Sequence, residues 1–335
     1  MYNLIADEKN TSTSRPKGNR QNLKFFSGRR IMPPQKILIL MSNTGGGHLA
    51  SARALQSAFA QRFGDRFQVD IVDLLIEYLP SPLNELPKSY SFLANDATWL
   101  WKLLWRAGEN PSLVRAVAEL VKRLSASTMR YLLIDYQPDL IISVHPLMHE
   151  IVAPALKRQR RRIPYVTVVT DLGTIHPLWF HAAIDGCYVP TVAAAEQARA
   201  AGIARERVHP LGLPIRPAFA APSRDRESLR HQLGLHADLP AALLVGGGDG
   251  IGPVAEIAYE LTQRLRVGSH LLGQLVVICG RNRKLYQELA SQAWSVPTLI
   301  YGFVENMAEW MVACDCLITK AGPGTIAEEI GRAHV

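Results

Sequence analysis

The chain has 335 residues, 48% hydrophobic residues, a mean hydropathy of +0.02 and a formal net charge of +8. These values are typical of a globular protein of about two domains, and no apolar run is long enough to span a bilayer. Residues 1–36 hold eight Lys and Arg against two acidic residues, so the remainder is nearly neutral. Because a nucleic-acid-binding domain carries its basic charge on a folded face, no nucleic acid partner is expected.

Residues 1–34 are predicted to be a disordered basic tail. They are polar, basic and rich in Ser, Thr and Asn, and they lack the apolar core of a signal peptide. Three interpretations remain open for this tail: a passive extension, a tether to anionic membranes, or an over-extended start with Met32 as the first residue.

The stretch from Lys36 to Phe59 predicts a strand, a glycine loop and a helix. Residues 37–41 form a continuous apolar run, as in a buried parallel strand, and apolar residues recur at helical spacing from Ala52. The loop between them contains Gly45, Gly46 and Gly47, followed by His48. It matches neither a Walker A loop nor the dinucleotide fingerprint.

This junction predicts a site, because ligands of open α/β sheets bind at the carboxyl ends of strands. Glycines allow the backbone to approach a ligand closely, and His48 could do proton chemistry there. A tight turn with an incidental histidine is the alternative.

The segment 78–110 is rich in proline, leucine and aromatic residues. Its tryptophans lie beside Lys102 and Arg106, a pattern typical of a surface at a bilayer interface. The tryptophans concerned are Trp99, Trp101 and Trp105. A helix packed over the core is the alternative, and the basic run 157–162 could bind acidic lipids or form a solvated helix end.

Further strands are predicted at 67–74, 139–144, 163–170 and 183–190, with helices at 113–133 and 193–201. The strand at 163–170 ends in a polar stretch containing Asp171, His176 and His181. Polar residues at the end of a buried strand mark a second part of the candidate site.

A second α/β pattern begins after residue 224. Its strands are predicted at 241–245, 275–279, 298–300 and 316–319, and several run directly into glycine loops. Two Rossmann-like halves are therefore predicted, facing a cleft that suits a nucleotide-linked donor and an acceptor.

The four cysteines are Cys187, Cys279, Cys314 and Cys316. Cys314 and Cys316 have no second pair to complete a zinc site, so buried reduced thiols are expected.

Four motifs in one order resemble the monogalactosyldiacylglycerol synthases. They are Ser42-Asn-Thr-Gly-Gly-Gly-His48, Thr170-Asp171-Leu with His176-Pro-Leu-Trp179-Phe-His181, Gly212-Leu-Pro-Ile-Arg216-Pro217, and Thr319-Lys-Ala-Gly-Pro-Gly-Thr325-Ile-Ala-Glu328. The match covers residues 36–328. Processive diacylglycerol glucosyltransferases and, more remotely, the lipid II glycosyltransferase of peptidoglycan synthesis are similar.

The resemblance implies an α/β protein of GT-B fold, an inverting glycosyltransferase at the membrane surface. It would transfer a hexose, with galactose favoured over glucose, from UDP-galactose or UDP-glucose to diacylglycerol. The implied domains are an acceptor domain at 35–215 and a UDP-sugar domain at 216–335. By resemblance, His48 would be the general base, Asp171 would orient or assist it, and residues 45–47 would contact the acceptor. A helix N-cap is the alternative for Asp171.

The resemblance also implies a donor site in the C-terminal half. The diphosphate would bind backbone N–H groups of Gly246, Gly247, Gly248, Gly322, Gly324 and Thr325, with Arg281 neutralising its charge. Phe303 and Val304 would hold the uracil, and Glu328 would accept the ribose hydroxyls. No cofactor and no metal are expected. Turn geometry, core packing and a solvated helix position are the structural alternatives for these residues.

The chain departs from the family after Glu328. The last residues, Glu329-Ile-Gly-Arg-Ala-His-Val335, match an in-frame translation of a common sequencing adapter. The C-terminal domain is therefore predicted to be truncated, and the fragment itself could be inactive.

Two other classes remain as alternatives: a nucleotide-sugar epimerase of GT-B architecture and a non-catalytic membrane-binding protein. The expected location is cytoplasmic, peripheral on the inner face of the cell membrane, with anionic membrane lipids as partners.

Overall fold

The computed structural model describes residues 33–42, 47–79, 81, 83–85, 99, 111–173, 175–220, 224–320 and 322–333. Pro34–Val335 form one compact unit. None of the described helices combines the length and the apolar character needed to cross a bilayer.

The N-terminal half is built on a parallel sheet of six strands in the order β2-β1-β3-β4-β5-β6. Its described elements are β1 (Gln35–Met41), α1 (Gly47–Phe63), β2 (Phe67–Asp73), α2 (Leu74–Tyr78), α3 (Pro111–Tyr136), β3 (Leu140–Ser143), α4 (His149–Leu156), β4 (Tyr165–Val168), β5 (Gly186–Val189), α5 (Val192–Ala200) and β6 (Val208–Pro210).

The C-terminal half is built on a parallel sheet of four strands in the order β11-β10-β7-β12 and carries a small antiparallel hairpin. Its elements are α6 (Pro217–Ala220), α7 (Arg226–Gln232), β7 (Ala241–Val245), α8 (Val254–Arg264), the hairpin β8 (Arg266–Val267) and β9 (His270–Leu271), β10 (Gln274–Ile278), α9 (Arg283–Ala290), β11 (Thr298–Tyr301), α10 (Met307–Ala313), β12 (Cys316–Thr319) and α11 (Pro323–Ala333).

Both faces of each sheet are covered, which explains the continuous apolar strands. In β1, Leu38 and Leu40 belong to one buried cluster, whereas Ile37, Ile39 and Met41 belong to the cluster on the other face. Since alternate residues of a strand point to opposite faces, a strand covered on both sides must be apolar throughout. The predicted α/β class with parallel sheets is confirmed.

Some elements were not predicted from the sequence. Helix α9 has eight residues, and its two buried leucines, Leu285 and Leu289, lie one turn apart, a pattern too short to establish a helical period. Helix α10 reads MAEWMVA, which is nearly apolar throughout and has no polar face. Strand β6 has three residues and ends in Pro210 at the sheet edge.

The cysteine prediction is correct for three residues and wrong for one. Cys187, Cys279 and Cys314 are buried free thiols, but Cys316 is exposed. It begins the edge strand β12, where one side of the strand has no neighbour among the described strands.

Two glycine loops of the C-terminal half interlock. Gly250 has φ +58°, and a Cβ added there would overlap the carbonyl oxygen of Cys279 at the end of β10. Gly280 has φ +59°, and a Cβ there would overlap the backbone of Gly248. Side chains at either position would separate the loops, so both glycines are needed for packing.

We expect Gly250→Ala to destabilise the protein more than Gly268→Ala does. Gly268, between β8 and β9, has nearly the same φ of +59° but open space around the added Cβ. Backbone strain alone should cost about 1–2 kcal/mol at both positions, and the overlap should add about 1–3 kcal/mol at Gly250. Urea unfolding would measure both; equal losses would contradict the interlocking of the loops.

Candidate active site

The candidate site lies where the parallel strands of both halves end. A cleft of about 350 Å³ is lined by residues of the N-terminal half, including His48, Arg53 and Asp171, and by the glycine loops of the C-terminal half. Strands β1, β3 and β4 are neighbours in the first sheet, so their carboxyl ends lie side by side there.

His48 lies in the first turn of α1 and is partly buried. Its Nδ1 is 2.7 Å from the carbonyl oxygen of Val144 and 3.1 Å from Oγ1 of Thr170. Because a carbonyl oxygen can only accept, Nδ1 carries the proton. Nε2 then keeps its lone pair, and it has no hydrogen-bond partner among the described residues. His48 is thus arranged as a base.

The pKa of His48 is lowered from 6.5 by burial. Two contacts oppose this shift, the hydrogen bond to Val144 and the negative charge of Asp171. The imidazole is therefore neutral at pH 7 and able to accept a proton.

Asp171 is held by the indole of a fully buried tryptophan. Nε1 of Trp179 donates to Oδ2 of Asp171 over 2.6 Å. Among the described contacts, Val144 and Thr170 hold the His48 ring, whereas Asp171 acts on it through charge. The alternative of a helix N-cap is wrong, because the described residues after Asp171 form bends.

Three further histidines, His145, His149 and His181, lie in the same region of the N-terminal half as His48. The ring of His145 is 4.5 Å from that of His48, centroid to centroid, and His149 stacks on His181 at 6.2 Å. His149 also contacts the Tyr165 hydroxyl, 2.8 Å from its Nδ1. Burial lowers the pKa of His145 well below 6.5 and that of His149 to about 3. Both rings are neutral at physiological pH.

The cleft brings together most of the predicted donor residues. Those that line it are Gly247, Gly248, Arg281, Phe303, Val304, Gly322, Gly324, Thr325 and Glu328. Residues 322–325 lie at the start of α11, an eleven-residue helix. Its first N–H groups lack intrahelical partners and could bind an anion.

Gly246 is the predicted donor residue that does not line the cleft. It lies directly after β7, where an added Cβ would be 2.8 Å from Cγ2 of Val254 and 2.9 Å from Cα of Gly250. Its glycine is therefore explained by packing against α8 and the loop.

Arg281 links the predicted phosphate and uracil positions. Its Nη1 is 3.3 Å from Oδ1 of Asp249, and its guanidinium carbon is 4.6 Å from the ring centroid of Phe303. Phe303 is 52% exposed, so much of its ring is open to the cleft. An exposed aromatic ring supported by a cation is suited to stacking on a base.

Glu328 has a partner that the sequence does not reveal. Its Oε1 accepts from Nε of Arg216 over 2.8 Å, and its side chain is nearly buried. Arg216 also lies over the ring of Phe219. The ribose role of Glu328 stays a prediction.

Three basic residues lining the cleft were not assigned a role from the sequence: Arg53, Arg216 and Lys320. Arg216 and Lys320 belong to two of the family motifs, so the motifs could have indicated that these residues are part of the site. The sequence did not place Arg53 in the site, because a single arginine on an amphipathic helix usually faces solvent.

The predicted acceptor and membrane residues are only partly described. Gly47 begins α1 and lines the cleft, and Trp99 is 70% exposed. Gly45, Gly46, Trp101 and Trp105 lie outside the described residues. In the basic run, Arg161 pairs with Asp139 and Arg162 with Asp185, so these two arginines anchor loops of the sheet.

Within the described ranges, no group of three or more His, Cys, Asp and Glu could hold a metal ion. Whether the site works without a metal stays a prediction.

The fold is similar to that of MurG from Acinetobacter baumannii. The two structures match with a TM-score of 0.50 and 16% sequence identity, over 89% of this chain and 76% of that chain. This likeness, together with the two parallel sheets, confirms the GT-B fold.

Two plant proteins are similar in sequence. Monogalactosyldiacylglycerol synthase 1, chloroplastic, from Arabidopsis thaliana is 45% identical over 89% of this chain, and the match covers 57% of its own length. The probable monogalactosyldiacylglycerol synthase, chloroplastic, from Glycine max is 47% identical over 88% of this chain and 56% of its own length. The chain thus spans little more than half the length of these relatives.

The relatives contradict the predicted location. Both are named as chloroplastic, so the expectation of a protein on the inner face of the cell membrane is wrong. That expectation came from the basic and aromatic residues and from the membrane-surface location that the family resemblance implied, and neither identifies which membrane is bound.

Residues 48–215 match the protein family described as monogalactosyldiacylglycerol (MGDG) synthase. This range contains His48, Val144, Thr170 and Asp171, the residues that form the base and its surroundings. The chain belongs to the monogalactosyldiacylglycerol synthase family.

Proposed function

We propose that this chain carries the site of an inverting glycosyltransferase that transfers galactose from UDP-galactose to diacylglycerol. The observation that carries this proposal is the His48 ring, with its Nε2 available as a base, in the same cleft as the glycine loops of the second sheet. Proton chemistry and an anion-binding surface are what such a transfer requires. Galactose and diacylglycerol are favoured because the relatives are named for that product.

In the proposed reaction, Nε2 of His48 accepts the proton of the acceptor hydroxyl. The oxygen then attacks C1 of the sugar from the face opposite the diphosphate. The bond between C1 and the phosphate oxygen breaks, and its electron pair leaves with UDP. The hydrogen bond from Nδ1 to Val144 and the nearby Asp171 favour the imidazolium that forms.

On the donor side, the uracil would stack on Phe303, and the diphosphate would bind at Gly247, Gly248 and the start of α11. Five of the residues by which the C-terminal half lines the cleft are glycines, so backbone N–H groups can approach the phosphates closely. No cofactor or metal is part of this proposal. Anionic lipids are proposed as partners of the segment around Trp99, because its tryptophans lie beside Lys102 and Arg106 in the sequence and the indole of Trp99 is exposed.

The epimerase alternative is less well supported. It would need two carboxylates near the anomeric carbon, but both acidic residues described in the lining of this cleft have partners. Asp171 accepts from Trp179, and Glu328 is paired with Arg216.

Replacement of the base should slow transfer strongly. We expect His48→Ala to lower kcat by about 10²–10⁴-fold, because the acceptor hydroxyl would lose its proton acceptor. Transfer of labelled galactose from UDP-galactose to diacylglycerol vesicles measures this. The control is His270→Ala in the exposed hairpin strand β9. Unchanged transfer by the folded His48 variant would exclude His48 as the base.

The charge of Asp171 should be visible in the pH profile. Transfer needs neutral His48, so kcat/KM falls as the pH drops through the His48 pKa, which lies below 6.5. Asp171→Asn removes a charge that raises this pKa, and the acidic limb should move to lower pH. The amide oxygen can still accept from Trp179, and Asp171→Glu is the charge-retaining control. An acidic limb that stays in place or moves to higher pH would refute the role of this charge.

Loss of the aromatic surface should weaken donor binding. Phe303→Ala should cost about 1–3 kcal/mol in UDP affinity, the range found for stacking of a base on an aromatic ring. Phe303 is half exposed, so the fold should be little affected. Titration calorimetry with UDP, with Tyr286→Ala on α9 as the exposed aromatic control, tests this; equal affinities in the two variants would reject uracil stacking.

A further inference from the structure

The basic residues that line the cleft differ in whether the protein offsets their charge. Arg216 is paired with Glu328, and Arg281 with Asp249. Arg53 and Lys320 form no ion pair with any other described residue. The cleft therefore holds two cations, Arg53 and Lys320, that form no ion pair with a described carboxylate.

Lys320 lies over the glycine loop that follows β7. Its Cε would be 3.2 Å from a Cβ at Gly247, so the side chain occupies space that a larger residue there would need. Loss of water around the amine lowers the pKa of Lys320, and attraction to Asp249 opposes this shift. A partly dehydrated cation next to bare backbone is well placed for an anionic ligand.

Arg53 reaches the same cleft from the other half. It lies on α1 five residues after His48, about 7–8 Å further along the helix axis. Arg53 is exposed and thus accessible to a ligand. Since both residues belong to α1, the helix sets the distance between the backbone positions of Arg53 and His48.

We propose that Arg53 and Lys320 bind the diphosphate of the donor from opposite halves of the protein. The inference rests on the proposed function, since it assumes a nucleoside diphosphate in this cleft. Each phosphate of a sugar diphosphate carries one negative charge, so the two cations match the charge of the ligand. When the bond from C1 breaks, its electron pair moves to the terminal phosphate oxygen, and the same cations stabilise this added charge.

The arrangement also sets the position of the donor relative to the acceptor. Arg53 shares α1 with His48, whereas Lys320 follows β12 in the other sheet. A diphosphate held by both would lie between the two halves, in the cleft that also contains His48. Charge neutralisation and alignment would then come from the same contacts.

The test is calorimetric titration of the full chain with two probes, UDP and uridine. We expect Arg53→Ala and Lys320→Ala each to weaken UDP binding about tenfold or more, the range for hydrogen bonds to charged groups. Uridine affinity should stay unchanged, since uridine has no phosphate. Arg53→Lys and Lys320→Arg should retain most of the UDP affinity. The matched controls are Arg62→Ala at the end of α1 and Lys284→Ala on α9, both outside the cleft.

Three outcomes would overturn the inference. UDP affinity within twofold of the wild type in both alanine variants would exclude the contacts. A loss confined to one variant would exclude binding from both halves. An equal loss for UDP and uridine would indicate a damaged site rather than a lost phosphate contact. Failure of the wild-type chain to bind UDP is distinct from these and would reject the proposed donor site itself.

Discussion

The hydrogen bond of 2.7 Å from Nδ1 of His48 to the carbonyl oxygen of Val144 is the contact on which the site depends. It fixes the tautomer of the ring and leaves Nε2 as the acceptor of a proton. Val144 is itself held by its N–H, which donates to Leu40 over 3.0 Å at the end of β1. The chemistry of His48 is thus set by the pairing of β1 with β3. A change of register by one residue would reverse the direction of every side chain in that pair.

Five glycines in the loops after β7 and β10 fall into two groups with different reasons for lacking a side chain. Gly246, Gly250 and Gly280 are constrained by neighbouring backbone or by Val254, and they hold the loops after β7 and β10 together. Gly247 and Gly248 face the cleft, where only the flexible ends of Lys320 and Arg281 come near. The first group thus gives the loops their shape, and the second leaves backbone exposed to a ligand.

Much of the fold could be predicted, because both sheets are made of short apolar runs that end in glycine or polar turns. The strand 241–245 and the strand 316–319 have the predicted bounds. Helices α9 and α10 were not predicted, because α9 is amphipathic but only eight residues long and α10 is nearly apolar throughout. The hydrogen-bond and ion-pair partners of the site residues could not be predicted either. Val144 acts through its carbonyl group, which any residue type supplies, and the pairing of Arg216 with Glu328 joins positions 112 residues apart.

The grouping of residues at one sheet edge could be predicted, but not the contacts within it. Asp171 was expected to act beside His48, and the resemblance to the family brought the two together. The sequence did not indicate that Trp179 holds Asp171, since a buried indole needs only some acceptor nearby. The charged residues that lack an ion-pair partner could not be predicted either. Arg53 and Lys320 differ from the other arginines and lysines only in what surrounds them once both halves are folded.

The buried imidazoles behind His48 have a consequence for the folded state as a whole. An unfolded chain binds protons on His145 and His149 below pH 6.5, whereas burial keeps both rings neutral in the folded protein, that of His149 down to a pKa of about 3. Acid therefore favours the unfolded form, by about 1.4 kcal/mol per ring for each pH unit below 6.5 until the ring titrates in the fold. The N-terminal half should take up these protons as it opens. The histidines that surround the base thus make the N-terminal half sensitive to acid.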